Sequence, residues 1–419
     1  MERLTSCEKN IRPLEWLQKG EVMHTSRYLI VGAGMTADAA IQGIRERDPG
    51  GSVSVIGIET HPPYDRPPLT KGLWKGKPEE SIWRQSGREG VTLHLGRKAV
   101  DLNPRDRQIT DDAGTVHRYE KLLLATGATP RRLPSGPASV IYYRSFDDYR
   151  RLRSLTGRGR RFAVIGGGFI GSEIAAALAM NGKEVVLVFP GEGIGERVFP
   201  PDLSSFLNGF YREKGVDVHP GTSVVEIQET GDRLSLTLSE AENDNGREVV
   251  VDGVIAGLGV QPNIELAQAA GLIVNDGIRV DASLRTSHPD IYAAGDVASF
   301  HNPILNQWLR VEHEDNANTM GTMAGRAMAG EAVSYDHLPF FYSDLFELGY
   351  EAVGQVDSRL EVVADWKEPY REGVVYYLRD RLVRGALLWN VWDQVDAARR
   401  LIAEPGPFVP ADLKGRLPA

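Results

Sequence analysis

An α/β fold with two Rossmann-like dinucleotide-binding domains and a C-terminal α+β domain is predicted for this chain by three observations. An apolar run ending in Gly32-Ala-Gly34 opens onto a helical pattern near the start. The same arrangement recurs in mid-chain at Gly166-Gly-Gly168. Beyond about residue 335 no further glycine-rich turn occurs, and strand-like alternation dominates. One such turn is weak evidence, because glycine-rich strand-to-helix turns have many uses. Two in register with their strands and helices point to two dinucleotides meeting in one protein, and hydride transfer from a nicotinamide to a flavin is the usual reason for that.

Residues 27–33 read as a buried parallel strand and 35–47 as a helix, with apolar positions at Ala37, Ala40, Ile41 and Ile44. In the turn, Gly32 and Gly34 with the small Ala37 let the backbone approach a pyrophosphate at the helix N-terminus, where free N–H groups and the positive dipole end lie. A strand over 53–58 ends at Glu59, an acid placed to accept hydrogen bonds from ribose hydroxyls. The second unit repeats the logic. A strand over 162–166 leads through Gly166, Gly168 and Gly171 into a helix over 170–181, followed by a strand over 184–189 with Glu192 close behind. Alternation from 216 to 259 reads as a meander and a return strand. Residues 374–378, a turn at 379–381 and residues 382–389 read as an antiparallel hairpin, and 393–403 as a closing helix.

Composition narrows the function. A chain of 419 residues needs two or three domains. With 42% hydrophobic and 25% charged residues it reads as a soluble globular protein. No apolar run reaches the ~20 residues of a membrane-spanning helix. Residues 1–26 are charged and carry no apolar signal core, so no secretion is expected. They read as an extension ahead of Met23, or as an artefact of an upstream start. The net charge of −9 argues against general nucleic-acid affinity. The Arg150, Arg151, Arg153, Arg158, Arg160 and Arg161 stretch reads as a solvated linker, with a patch for an acidic partner such as a ferredoxin as the alternative. The single cysteine, Cys7, lies outside any motif, so redox-disulfide chemistry and thiolate zinc sites are excluded, and no metal site is expected.

Further motifs carry a resemblance. Leu122-Leu-Leu-Ala-Thr-Gly-Ala128 lies between the two fingerprints and Ile291-Tyr-Ala-Ala-Gly-Asp296 follows the second. With these the chain resembles the flavoproteins that bind FAD on one dinucleotide domain and NAD(P)H on another. Pro63-Tyr-Asp-Arg-Pro-Pro-Leu-Thr-Lys71 and Val311-Glu-His-Glu-Asp-Asn-Ala317 are similar to the ferredoxin-reductase and apoptosis-inducing-factor branch. Ser343-Asp-Leu, Gly349-Tyr-Glu-Ala-Val353, Tyr377-Leu-Arg-Asp380 and Leu388-Trp-Asn390 are more similar to apoptosis-inducing factor than to most ferredoxin reductases. The resemblance covers about residues 27–405. It implies a discontinuous FAD-binding domain (27–145 and 278–330), an NAD(H)-binding domain (146–277), a C-terminal domain (331–419) and an N-terminal extension (1–26).

The resemblance also implies roles. Gly32, Ala33, Gly34, Met35 and Thr36 would hold the FAD pyrophosphate and Glu59 the adenine ribose. Arg66 and Arg144 would approach the phosphates or adenine, Ala99 the adenine through its backbone, and Asp296 the ribityl or pyrophosphate region. Thr126 and Gly127 would also touch FAD. Lys71 would stand at the flavin, paired with Glu173, and Phe169 would cover the flavin face until nicotinamide displaces it. Glu312 and His313 would lie beside the isoalloxazine, with Tyr342 and Glu351 completing the nicotinamide side. Gly166, Gly167, Gly168, Ile170 and Gly259 would form the NADH subsite. Glu192 would meet the ribose diol and repel a 2′-phosphate, favouring NADH over NADPH.

The chain departs from its relatives at three places. Tyr342 stands where tryptophan is usual, Glu314 replaces a second histidine, and Gly191 holds the place where the ribose acid is expected, with Arg197 nearby. The long insertion of animal apoptosis-inducing factor is reduced to about residues 355–373. The expectation is a cytoplasmic, prokaryotic-type, FAD-dependent NADH oxidoreductase. Electrons would pass directly to a ferredoxin-type iron–sulfur protein, a quinone or another small oxidant. The alternative is a slow NADH sensor that forms a stable FADH2–NAD charge-transfer complex and dimerises with NADH.

Overall fold

The computed structural model describes residues 23–85, 90–240 and 243–417. The readings placed on residues 1–22, Cys7 included, lie outside the described residues. The first sheet is built around Met23–Val31, which runs parallel to Val53–Gly57 on one side and to Val116–Leu124 on the other. Val91–Leu95 extends the parallel part, and Gln108–Asp111 and Ala99–Asn103 continue the opposite edge antiparallel. Much later in the chain, Ile291–Ala293 pairs parallel with Val116–Leu124. Leu29, Ile30, Leu122 and Ile291 are fully buried, as strands covered on both faces must be.

Helix Met35–Arg47 leaves the first glycine turn and packs on helix Glu314–Met328. Their backbones meet through Gly43 and Gly325. A Cβ on either would lie 2.1 Å from a backbone oxygen of the opposing helix. That close crossing brings the start of the second helix, Glu314, alongside the first turn.

The second sheet is parallel, in the order Val216–His219, Glu184–Val188, Arg161–Ile165, Gly253–Ala256 and Ile141–Tyr142. A three-stranded antiparallel meander, Thr222–Thr230, Arg233–Glu240 and Asn243–Val251, covers it. The third sheet is antiparallel, with Phe340–Leu345 at one edge, then Leu348–Gly354, Leu382–Trp389, Glu372–Arg379 and Glu361–Glu368. Helix Val395–Ala403 packs on it. One core joins all three parts. Tyr64, Leu69 and Trp74 from the first, Leu178, Phe199 and Tyr211 from the second, and Tyr350 and Trp389 from the third belong to it.

The fold class is as the sequence predicts, and the differences are at the ends of elements. Both strands that feed the glycine turns end one or two residues early, at Val31 and Ile165. Gly32 and Gly166 already adopt φ of +113°, which no strand residue holds. The second helix correspondingly starts at Phe169 and ends at Met180. The hairpin turn is Asp380-Arg381 alone, both in the left-handed region, and its strands lengthen to Glu372–Arg379 and Leu382–Trp389. The closing helix starts at Val395. The short 355–373 stretch contributes an unforeseen edge strand, Glu361–Glu368.

Candidate functional site

Both glycine turns open onto one cleft of about 1240 Å³ between the three parts of the molecule. Helices Met35–Arg47 and Phe169–Met180 start on Gly34 and Gly168, and neither N-terminus carries a side-chain cap. A Cβ at Gly34 or Gly168 would meet nothing within 4 Å. At Gly32 it would lie 2.0 Å from Ala125 O, and at Gly166 2.3 Å from Gly257 O. Each turn is thus tight on its protein side and open toward the cleft, with unpaired N–H groups facing it. That fits two pyrophosphates. The volume exceeds the ~1,000 Å³ upper range of single-ligand pockets, as two dinucleotides require.

A ladder of charge lines the first cradle. Tyr64 Oη donates to Glu59 Oε2 (2.6 Å), and Arg66 Nη2 donates to Glu59 Oε1 (2.5 Å). Arg66 Nη1 also donates to Arg144 O (3.0 Å), and Arg144 Nη2 donates to Asp296 Oδ2 (2.5 Å). Burial pushes the Glu59 carboxyl up, but the Arg66 charge and the bonds from Tyr64 and Arg66 outweigh it, so Glu59 titrates below the ordinary range. Gly32, Ala33, Met35, Thr36, Glu59, Arg66, Thr126, Gly127, Arg144, Asp296 and Glu312 all line the cleft. Thr126 is tied in by its hydroxyl, which donates to Asn263 O (2.8 Å).

At the junction of the two cradles lies Lys71, its Nζ 2.7 Å from Glu173 Oε1. Thr70 Oγ1 donates to Glu173 Oε2 and Ser343 Oγ to Oε1, both at 2.5 Å. The Glu173 side chain is 4% exposed and that of Lys71 12%, so the carboxylate is held by three donors and the ammonium faces the cleft. Phe169 is 37% exposed over the same space and packs on Phe341 (5.1 Å between ring centres), which in turn stacks on His313 (4.4 Å, 19°). Burial presses the His313 imidazole down to about 4 against the pull of Asp296 and Asp315, so it is neutral at pH 7.

Two of the three departures from the family pattern touch one another. Tyr342 Oη donates to Glu314 Oε2 (3.2 Å), and Lys71 Nζ lies 5.2 Å from the Tyr342 ring centre. Burial and the neighbouring Asp65 push the Glu314 carboxyl up, while burial and Glu314 push the Tyr342 hydroxyl up.

Gly166, Gly167, Gly168, Ile170 and Gly259 line the second cradle. Three expected residues lie outside the cleft lining. Ala99 is on a strand two places out from Val116–Leu124, at the antiparallel edge of the first sheet. Glu351 lies opposite Tyr342 but on the inner strand Leu348–Gly354, where burial and Asp393 push its carboxyl up. Glu192 is exposed, and its carbonyl accepts from Asn208 Nδ2 (2.8 Å) on helix Pro201–Glu213. Sequence reasoning missed Thr70 and Ser343, which sit inside quoted motifs without a role. It also missed Glu196, whose only signal is the absence of an acid at Gly191. The arginine stretch is partly used in packing: Arg150 lies over Phe146, Arg153 over Trp74, and Arg160 pairs with Glu184.

Comparison with known proteins gives the family. Residues 26–321 match the family model described as pyridine nucleotide-disulphide oxidoreductase. Residues 324–369 and 364–404 match the apoptosis-inducing factor, mitochondrion-associated, C-terminal model. The chain belongs to the pyridine nucleotide-disulphide oxidoreductase family, and FAD and NADH are its dinucleotides. Among its relatives is apoptosis-inducing factor 1, mitochondrial, of Dictyostelium discoideum, 33% identical over 90% of this chain and 78% of that protein. Another is the ferredoxin–NAD(+) reductase component of the anthranilate 1,2-dioxygenase system of Burkholderia cepacia, 34% identical over 91% of this chain and 95% of that one. In the solved covalent putidaredoxin reductase–putidaredoxin complex, a chain superposes with a TM-score of 0.85 at 29% identity, covering 93% of this chain and 95% of that chain. No helix among the described residues is long and apolar enough to cross a membrane.

Proposed function

We propose that the chain is an FAD-dependent NADH oxidoreductase that hands electrons directly to a ferredoxin-type iron–sulfur protein, working in the cytoplasm. The observation that carries this reading is the convergence of both uncapped glycine turns on the Lys71–Glu173 pair in one cleft. When bound, FAD supplies two-electron acceptance from NADH and stepwise release to an acceptor.

The residues of the chain do the remaining work. Lys71 presents a fixed positive charge where negative charge grows on reduction, and Glu173, Thr70 and Ser343 keep it from reorienting. Helix Glu314–Met328 begins at the cleft and adds the positive end of its dipole. Neutral His313 stacked on Phe341 gives an uncharged wall. Phe169 packs on Phe341 and is 37% exposed to the cleft, so it can yield to a second ring. With one cysteine in the whole sequence, no intrachain disulfide can relay electrons. The acceptor assignment draws on the reductase relatives and on the putidaredoxin complex.

The C-terminal match to apoptosis-inducing factor supports a second reading, a slow NADH sensor that dimerises on reduction. Anaerobic stopped-flow reduction by NADH, followed by mixing with a [2Fe–2S] ferredoxin or a quinone, separates the two. Fast bleaching with rapid reoxidation by ferredoxin is expected. Slow bleaching, a persistent long-wavelength band and an earlier elution volume with NADH would establish the sensor instead.

A further inference from the structure

We infer that Glu196 is the carboxylate that takes the adenosine ribose of NADH and rejects a 2′-phosphate, replacing an acid absent from position 191. The inference rests on the NADH reading above and names the residue that sets its specificity.

In a dinucleotide unit the acid that reads the ribose diol stands just beyond the second strand. Here that strand, Glu184–Val188, is followed by Phe189-Pro190-Gly191, and Gly191 has no side chain to offer. The space is filled from elsewhere. A Cβ on Gly191 would lie 2.1 Å from Glu196 Oε1, 2.2 Å from its Cδ and 2.3 Å from its Oε2. The Glu196 carboxylate therefore sits where a side chain at 191 would begin, and it lines the cleft beside Gly166, Gly167 and Gly168.

The loop that delivers it is built. Gly195 N–H donates to Gly167 O (2.8 Å), tying the loop to the second glycine turn. Gly221 N–H donates to Gly191 O (2.8 Å). Buried Asn208 accepts from Ile194 N–H (3.1 Å) and donates to Glu192 O (2.8 Å), which anchors the loop; Glu196 lines the cleft and Glu192 does not. Gly195 at φ +71° reverses the chain just before Glu196. Glu192 N–H donates to Glu196 Oε2 (2.8 Å) and orients the carboxylate. Oε1 has no protein partner among the described residues, so acceptor capacity remains for a vicinal diol. A 2′-phosphate there would bring about −1.5 to −2 charges against it. Arg197 also lines the cleft and would favour a phosphate.

The test is isothermal titration of the FAD-loaded protein with ADP-ribose and with 2′-phospho-ADP-ribose. Glu196→Ser is expected to weaken ADP-ribose about 10- to 100-fold, the scale of charge-assisted hydrogen bonds, and to admit the phosphorylated ligand. Glu192→Ser is expected to change neither. The double variant G191E/E196S, which restores a carboxylate at the vacated position, is expected to recover ADP-ribose binding. Unchanged FAD absorbance and melting temperature exclude misfolding as the cause. Unaltered binding by E196S, or a loss in E192S instead, would overturn the role of Glu196 while leaving the NADH reading intact. A wild-type protein that binds neither ligand would overturn both.

Discussion

Two residues carry opposite electrostatic tasks in the cleft. Glu173 is a buried carboxylate whose cost is met by Lys71, Thr70 and Ser343. Removing one partner of such a pair leaves a charge in poor solvent. Lys71→Met is expected to lower stability by about 3 kcal/mol, read as a urea midpoint shift, and to slow NADH bleaching of the flavin. Glu173→Gln should keep most of the stability, because its amide still bonds Thr70 and Ser343, yet slow bleaching as well. Equal rates in the wild type and both variants would remove Lys71 from the chemistry. His313 behaves differently. Burial holds it near 4, below its ordinary value of 6.5. As pH falls through that window the unfolded chain takes up a proton that the folded chain refuses, so stability is present above 6.5 and lost toward 4. At about 1.4 kcal/mol per pKa unit the loss amounts to about 3 kcal/mol. Chemical denaturation from pH 4 to 7 should show this slope in the wild type and a flatter one in His313→Asn.

The glycine turns are the elements on which the rest depends. Gly32 and Gly166 share a φ of +113°, and each lies against the backbone of a neighbouring strand end, so the two cradles are the same device built twice. Gly166→Ala would force its Cβ to 2.3 Å from Gly257 O at a backbone angle that L-residues avoid. It is expected to raise the Kd for NADH at least about tenfold, the effect of losing roughly 1.4 kcal/mol, while FAD stays bound. Release of FAD by this variant would show that the two cradles are not separable. The edge strand Phe340–Leu345 is the other decisive element. It carries Phe340, Phe341 and Tyr342 into the wall of the cleft and buried Ser343 to Glu173 behind it, and its outer edge is not paired within the sheet.

At the scale of the molecule, the third sheet is bound into the second domain rather than appended to it. Phe199, 2% exposed, meets Tyr350 edge-on at 5.2 Å and Trp389 at 5.5 Å. Tyr377 Oη donates to Val198 O (2.8 Å), and Lys214 pairs with Glu347 (2.6 Å). Phe199→Ala is expected to cost about 3–5 kcal/mol and, because the ring joins two parts, to split a single calorimetric transition into two. A lower but still single transition would mean that the remaining contacts suffice to couple them.

Sequence alone determined the local devices, because they are written in contiguous residues under strict backbone constraints. Glycine turns, their strands and helices, and Glu59 are readable for that reason, whereas Lys71 and Glu173 are read only from the resemblance. Element ends were misjudged by a residue or two where a left-handed φ cuts a strand short, as at Gly32 and Gly166. Only tertiary structure decided which side chains share the cleft. Ser343 reaches Glu173 across 170 residues of chain, and Tyr342 meets Glu314 between two elements. The carboxylate of Glu196 takes the place that Gly191 leaves open, while Glu192, nearer in sequence, lies outside the cleft lining. Such pairings follow from how loops are anchored by distant hydrogen bonds, and no spacing along the chain encodes them.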